Sequence, residues 1–163
     1  MLEWTLVSLV DDVNVRLVAG PKGLNAIQFR PEEIPVEGER NDANPVIGEA
    51  RRQLEAYFAG KLKEFDLPLD LQGTAFQVRV WRELERIPYG ETRSYMQVAA
   101  NLGAEKAVRA VGAANGANPI PIVVPCHRVI GSNGSLTGYG GGLDRKRSLL
   151  NLEKSRGTPA LFD

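Results

Sequence analysis

The apolar residues of this 163-residue chain recur every second position up to about residue 30 and at helical spacing in several stretches after residue 45, a combination that points to a mixed α/β chain. Up to residue 30 they recur every second position: Trp4-Thr5-Leu6-Val7, Val13-Asn14-Val15-Arg16-Leu17 and Leu24-Asn25-Ala26-Ile27-Gln28-Phe29, with Asp11-Asp12 and Gly20-Pro21-Lys22-Gly23 between them. The pattern predicts three short antiparallel strands joined by turns. Residues 31–45 carry Pro31, Pro35, Gly38 and Pro45 among many charges and read as a loop. A helix is predicted from about Pro45 to Ala59: Val46, Ile47, Ala50, Leu54, Tyr57 and Phe58 fall at helical spacing, proline suits its first turn, and Gly60 stops it. The segment from Pro68 to Gly73 reads as a linker and places a domain boundary there.

Beyond the linker the period is helical. Thr74 and Gln77 form a capping-box pair ahead of Phe76, Val80, Leu84 and Ile87, predicting a helix that ends at Pro88. Ser94 and Gln97 repeat the cap before a short helix with Met96, Ala99 and Leu102, closed by Gly103. A further helix is expected from about Glu105 to Asn115, and the two make a helix-turn-helix candidate. This second helix is crowded with small residues, Ala107, Ala110, Gly112, Ala113 and Ala114, while Lys106 and Arg109 lie three apart on one side. A helix so stripped of bulk can approach a partner backbone closely; tight packing in the core is the competing reading. Asp144 is expected to cap a last helix, with Leu149, Leu150 and Leu152 toward the core and Glu153 near its end. Charge changes at the same boundary. Residues 1–70 hold 8 Lys and Arg against 13 Asp and Glu, a net −5, and residues 71–163 hold 12 against 7, a net +5. The asymmetry suggests that the C-terminal half meets a polyanion.

Between these helices, Pro119, Pro121 and Pro125 forbid helix and push their predecessors extended, while Ile120, Ile122, Val123 and Val124 make the run apolar and buried. It ends in Pro125-Cys126-His127-Arg128, which holds the only cysteine and the only histidine of the chain. No internal disulfide can form, and a zinc site of the usual Cys/His kind lacks ligands, so no metal is expected. A thiol becomes a nucleophile when its thiolate is stabilised, as an imidazole can do. In an extended segment adjacent side chains point to opposite faces, so contact between Cys126 and His127 requires a turn or a bridging water. Downstream, Val129-Ile130 and Leu136-Thr137 flank a hairpin-like turn, followed by the loop Gly138-Tyr139-Gly140-Gly141-Gly142. The N-terminus has no basic region ahead of an apolar core, and the apolar run Ile120 to Pro125 falls far short of a membrane span of roughly 20 residues. A reduced, cytoplasmic, nucleoid-associated protein, without membrane contact, is expected.

The run from Asn118 to Ile130, preceded by Arg109-Ala110-Val111-Gly112 and followed by Gly138-Tyr139-Gly140-Gly141, closely resembles the signature of the methylated-DNA-protein-cysteine methyltransferases, or O6-alkylguanine-DNA alkyltransferases. The resemblance is strong over roughly residues 73–155 and rests on size and layout in the N-terminal part. It implies an α/β (α+β) fold: a structural N-terminal domain, residues 1–70, with a small antiparallel sheet and a helix in a ribonuclease H-like layout, and a mostly helical domain, residues 71–163, carrying the helix-turn-helix and the alkyl acceptor. The implied activity is single-turnover transfer of a methyl or alkyl group from O6 of guanine in duplex DNA, with O4 of thymine as a further candidate, to Cys126, after the nucleotide is flipped out from the minor-groove side. No cofactor is implied, and a monomer is expected.

Carried over by position, His127, through a water, and Glu153 resemble the pair that draws the thiol proton away. Asn118 matches the asparagine that pins the turn around the cysteine, and Tyr95 the tyrosine that donates to guanine N3. Arg109 matches the arginine that enters the base stack, with Lys106, Gly112 and Ala113 on the DNA-binding helix. Tyr139, the Gly140 backbone and the carbonyls of Cys126 and Val129 are implied to line the base pocket. Gly116 and Ala117 stand where some relatives carry a basic residue, and Gly140 where some carry serine. The zinc held by N-terminal Cys and His residues in some members has no counterpart here. Two other classes remain in view from the residues alone: a non-catalytic helix-turn-helix module with a structural cysteine, and a cysteine hydrolase using Cys126 and His127, for which no second histidine or oxyanion loop stands out.

Overall fold

Strand β1 (Glu3–Ser8) pairs antiparallel with β2 (Asn14–Gly20), and β2 with β3 (Gly23–Gln28), in a computed structural model that describes residues 1–136 and 142–157. The chain divides into two units, Met1–Gln72 and Gly73–Asp163. In the first, the sheet order is β3-β2-β1-β4, where β4 is the two-residue strand Glu39–Arg40, parallel to β1. Helix α1 (Pro45–Phe58) packs on this sheet through Ile47, Ala50, Leu54 and Tyr57, against Val15, Leu17, Leu24 and Ile27. Its start is set by Asn44, whose Oδ1 accepts the amides of Val46 and Ile47 at 2.9 and 3.1 Å.

The segment expected to be a loop, residues 31–45, is built into this unit. Beyond supplying β4, it forms a 3₁₀ turn at Pro31–Glu33 that covers the second face of β2, so that Val15 through Ala19 are all buried. Arg16 can lie inside because its guanidinium donates to Gln28 Oε1 (2.8 Å) and to the carbonyls of Pro31 (2.9 Å) and Ile34 (3.2 Å), and stacks on Trp4.

The second unit comprises α2 (Ala75–Leu84), β5 (Arg93–Ser94), α3 (Tyr95–Asn101), α4 (Val108–Gly116), β6 (Val129–Ile130) and α5 (Leu143–Gly157). Both expected capping boxes form, at Thr74/Gln77 and Ser94/Gln97. Helix α2 ends sooner than its apolar period, because the amides of Arg86 and Ile87 turn back to carbonyls three residues behind and tighten the chain before Pro88. Gly103, at φ +67°, lets α3 stop and the Ala104 amide reach back to Ala99. The expected second helix opens with a 3₁₀ turn, Glu105–Ala107, which carries Lys106; α4 proper starts only at Val108. Helices α2, α3 and α4 pack on one another, and the buried Trp81 indole donates to the Ala114 carbonyl at 2.8 Å. Gly73 is required beside it, since a Cβ there would lie 2.6 Å from the Trp81 ring.

The turn expected after Val129-Ile130 closes, with the Gly131 amide reaching the Ser135 carbonyl at 2.9 Å, while β6 itself pairs in parallel with β5; Thr137 lies outside the described residues. One further expectation is corrected. Helix α5 begins at Leu143, so Asp144 sits within its first turn instead of capping it. Among the described residues no helix is long and apolar enough to cross a membrane. Replacing Trp81 with Phe removes its bond to α4 and leaves a cavity where the outer indole ring meets Gly73, and is expected to cost about 2–4 kcal/mol, read as a lower urea midpoint at constant slope.

Candidate active site

The turn that presents Cys126 is held by one side chain on each side. Asn118 Oδ1 accepts the Ile120 amide at 3.0 Å and its Nδ2 donates to the Val124 carbonyl at 2.8 Å, while the Val124 amide closes onto the Ile120 carbonyl at 2.9 Å. Inside this loop Ile122 adopts φ +74°, a left-handed conformation that a β-branched residue avoids, with its side chain fully buried. The chain then folds about Pro125 (φ −82°, ψ 63°), where the Cys126 amide reaches the Val124 carbonyl at 2.8 Å, and enters a 3₁₀ turn at Cys126–Arg128. From α4, Asn115 Nδ2 donates to the Cys126 carbonyl at 3.4 Å. Of the two ways the sequence left open for joining Cys126 and His127, the chain here takes a turn: its backbone is no longer extended, and Cys126, His127 and Arg128 are all buried.

His127, fully buried, meets Glu153 of α5, with 2.6 Å between its Nε2 and Oε2. Arg128 grips the same carboxylate, Nε to Oε1 at 2.7 Å and a terminal nitrogen to Oε2 at 3.0 Å, and the Gly90 amide adds a bond of 3.4 Å to Oε1. Burial alone would raise the carboxyl's pKa, but hydrogen bonds and charge from His127 and Arg128 hold it at about 2, so Glu153 is ionised. Burial pushes His127 the other way, below its ordinary value; the Glu153 bond and charge oppose this, while Arg128 and Lys146 reinforce it. A neutral ring beside an acceptor-only carboxylate carries its proton on Nε2, which leaves Nδ1 as the acceptor. That atom is buried and has no partner among the described residues.

Cys126 is 5% exposed, and burial lifts its thiol to about 11 despite a hydrogen bond from Asn118 and the charge of Lys146. Lys146, fully buried on α5, donates to the Val129 carbonyl at 2.6 Å, and its ammonium lies 5.9 Å from the centre of the Tyr95 ring. Tyr95 opens α3, is half-buried, and faces α4 at Gly112, where a Cβ would stand 3.8 Å from the ring in ordinary contact. The outer face of α4 exposes Arg109, Ala110, Ala113 and Gly116, with Lys106 exposed just ahead of it.

The structure thus brings Cys126, His127, Glu153, Asn118 and Val129 to one locus, sets Tyr95 beside Lys146, and leaves Arg109, Lys106 and Ala113 on the surface; Tyr139 and Gly140 lie outside the described residues. Sequence reasoning missed Arg128, Lys146 and Asn115. The signal for Lys146 was present, since it stands three and seven residues before Leu149 and Glu153 on one helical face.

Family models describe both units: the ribonuclease-like domain of 6-O-methylguanine DNA methyltransferase matches residues 16–71, and its DNA binding domain matches residues 75–155. The chain is similar to a methylated-DNA--protein-cysteine methyltransferase of Mycobacterium bovis, 68% identical over 114 residues and 68% of each chain. It is also similar to one of Methanosarcina acetivorans, 52% identical over 145 residues, 86% of this chain and 92% of the relative. The crystal structure of the Mycobacterium tuberculosis O6-methylguanine methyltransferase superposes with a TM-score of 0.85 at 48% identity over the whole of both chains; that of Mycobacterium tuberculosis OGT in complex with DNA gives 0.83 at the same identity over 99% of both. Fold and site together define the class of 6-O-methylguanine DNA methyltransferases. The chain belongs to the methylated-DNA-protein-cysteine methyltransferase family.

The buried groups set a stability profile. The fold disfavours protonated His127, so stability falls as the pH drops below about 6.5, where the unfolded chain takes up that proton. Glu153, lowered from 4.5 to about 2, is present as a stabilising carboxylate above 4.5, and its contribution is lost as the pH falls toward 2. Cys126, raised from 9.0 to about 11, makes stability fall as the pH rises above 9. Urea midpoints are expected to form a plateau between about pH 6.5 and 9, and Cys126→Ser is expected to flatten the alkaline edge alone.

Proposed function

We propose that the protein repairs alkylated DNA by direct reversal, Cys126 taking the alkyl carbon from O6 of guanine in a duplex and keeping it, so that each molecule acts once. The observation that carries this reading is a buried free thiol on the same 3₁₀ turn as a histidine whose Nδ1 is open and whose other nitrogen is fixed by an ionised Glu153. Because burial keeps the thiol protonated at neutral pH, the thiolate is generated at the moment of transfer, its proton passing through a water to His127 Nδ1. The sulfur attacks the alkyl carbon in line, the carbon–O6 bond breaks, and its electron pair stays on the guanine, which takes a proton at N3 from the Tyr95 hydroxyl. The ammonium of Lys146, held by the Val129 carbonyl and set against the Tyr95 ring, favours both anions as they form.

The target carbon is inaccessible inside a stacked duplex, so the nucleotide must be extruded. The small, exposed residues of α4 suit close approach to the minor groove, and Arg109, exposed at its start, fills the vacated stack. The carbonyls of Cys126 and Val129, with Tyr139 and the Gly140 backbone, receive the flipped base. The net +5 of the second half supplies phosphate attraction. We place the protein in the cytoplasm as a monomer, where a lone thiol stays reduced.

Incubation with duplex carrying O6-methylguanine is expected to add one methyl per molecule, mapped by peptide mass spectrometry to Cys126, with no further turnover; modification elsewhere or repeated turnover would sink the proposal. Arg109→Ala is expected to slow transfer from duplex by roughly tenfold or more, the scale of a few kcal/mol of lost flipping support, while leaving reaction with the free modified base within about twofold. Equal losses on both substrates count against its insertion into the stack.

A further inference from the structure

Arg128 has no part in the proton path just described, yet it makes the largest share of the bonds around it. Its guanidinium spans both oxygens of Glu153, at 2.7 and 3.0 Å, sends its remaining nitrogen to the Ile87 carbonyl at 2.6 Å, and lies 5.7 Å from the centre of the Tyr89 ring. Glu153 Oε2 is therefore shared between two donors, His127 and Arg128. A carboxylate held by an imidazole alone draws the proton balance toward imidazolium, whereas a carboxylate already neutralised by a bidentate guanidinium exerts a weaker pull. We propose that Arg128 is a positioning residue that sets the proton affinity of His127: by sharing Glu153 it keeps the imidazole neutral, with Nδ1 free to accept the thiol proton.

The proposal deepens the functional reading above and rests on it for its purpose, but not for its test. The charged groups acting on His127 are Glu153 and Lys146 from α5 and Arg128 from its own turn, with the Cys126 thiol next to it in sequence. Glu153 is the one that raises its affinity, and Arg128 and Lys146 are the two that lower it. The segment 87–90 contributes only uncharged partners to Glu153 and Arg128: the Ile87 carbonyl, the Tyr89 ring and the Gly90 amide. Removing the guanidinium takes away one of the two cations that oppose the Glu153 charge at His127 among the described residues, while burial and Lys146 act as before, so the shift has one sign.

The chain has a single histidine, so one imidazole carbon–proton NMR signal reports His127 without assignment. In the unmodified protein that signal is expected to stay at the neutral position down to pH 6. In Arg128→Met its midpoint is expected to move upward by about one pH unit or more, as for an ion pair relieved of its counter-charge. Arg128→Lys, which retains the charge, is expected to fall between the two. The rising limb of the transfer rate against pH moves with the midpoint: Arg128→Met loses about twofold or more at pH 6 and regains the unmodified rate by about pH 9. An unchanged midpoint, or a rate lowered by one factor at every pH, overturns the proposal and leaves Arg128 a structural clamp. If Arg128→Met does not fold, the Lys variant and the unmodified protein still decide it, since a ring already protonated at pH 7 in the latter overturns it outright. Absence of methyl on Cys126 beside the expected titration would instead remove the functional reading and keep the proton-affinity assignment.

Discussion

One buried carboxylate holds the acceptor site together. Glu153 receives donors from His127, Arg128 twice, and the Gly90 amide, and so ties α5 to the turn at residues 126–128 and to the segment after α2. An isolated charge at 1% exposure would be prohibitively costly to bury, and a single partner would leave lone pairs unmet. Four donors meet that requirement, and they leave the carboxylate no freedom to move. The tautomer of the histidine follows from this: Glu153 holds Nε2, which leaves Nδ1 as the ring's acceptor.

The turn itself is held against its own preference. Ile122 in a left-handed conformation, closed on both flanks by Asn118, is an arrangement that only a tightly determined surrounding can maintain. Its consequence is proximity. The residues that follow α4 without interruption are those that present the thiol, and Asn115, still on the helix, bonds to the cysteine carbonyl. The exposed small-residue helix that we propose meets DNA and the buried sulfur that we propose accepts the alkyl group therefore belong to one short stretch of chain. Trp81, anchored on the Ala114 carbonyl, sets that stretch against α2.

Much of the fold was legible because its signals are local. The capping boxes at Thr74/Gln77 and Ser94/Gln97, the asparagine and proline that start α1, and the glycine that ends α3 each act within one turn of helix. The three strands of the N-terminal sheet were visible as alternation, although β2 is buried on both faces. What hid that was Arg16, polar in sequence but satisfied inside by carbonyls from residues 31 and 34, in a segment whose prolines and charges look like an unstructured loop. The parallel pairing of β5 with β6 was likewise out of reach, since the turn after β6 carries a local hairpin signal and the true partner lies far upstream.

For the site, the sequence by itself determined the reagents and the shape of their presentation: one thiol and one imidazole, adjacent, at the end of a proline-framed apolar run that cannot be helix. Prolines and side-chain caps act over a few residues, so composition and spacing suffice to read them. Only the tertiary structure decided the protonation states. Glu153 lies 26 residues from the histidine it meets at 2.6 Å, Arg128 shares it, and Lys146 comes in from the same distant helix. Burial and charge at those distances depend on how remote segments pack, and no local pattern in the chain encodes them.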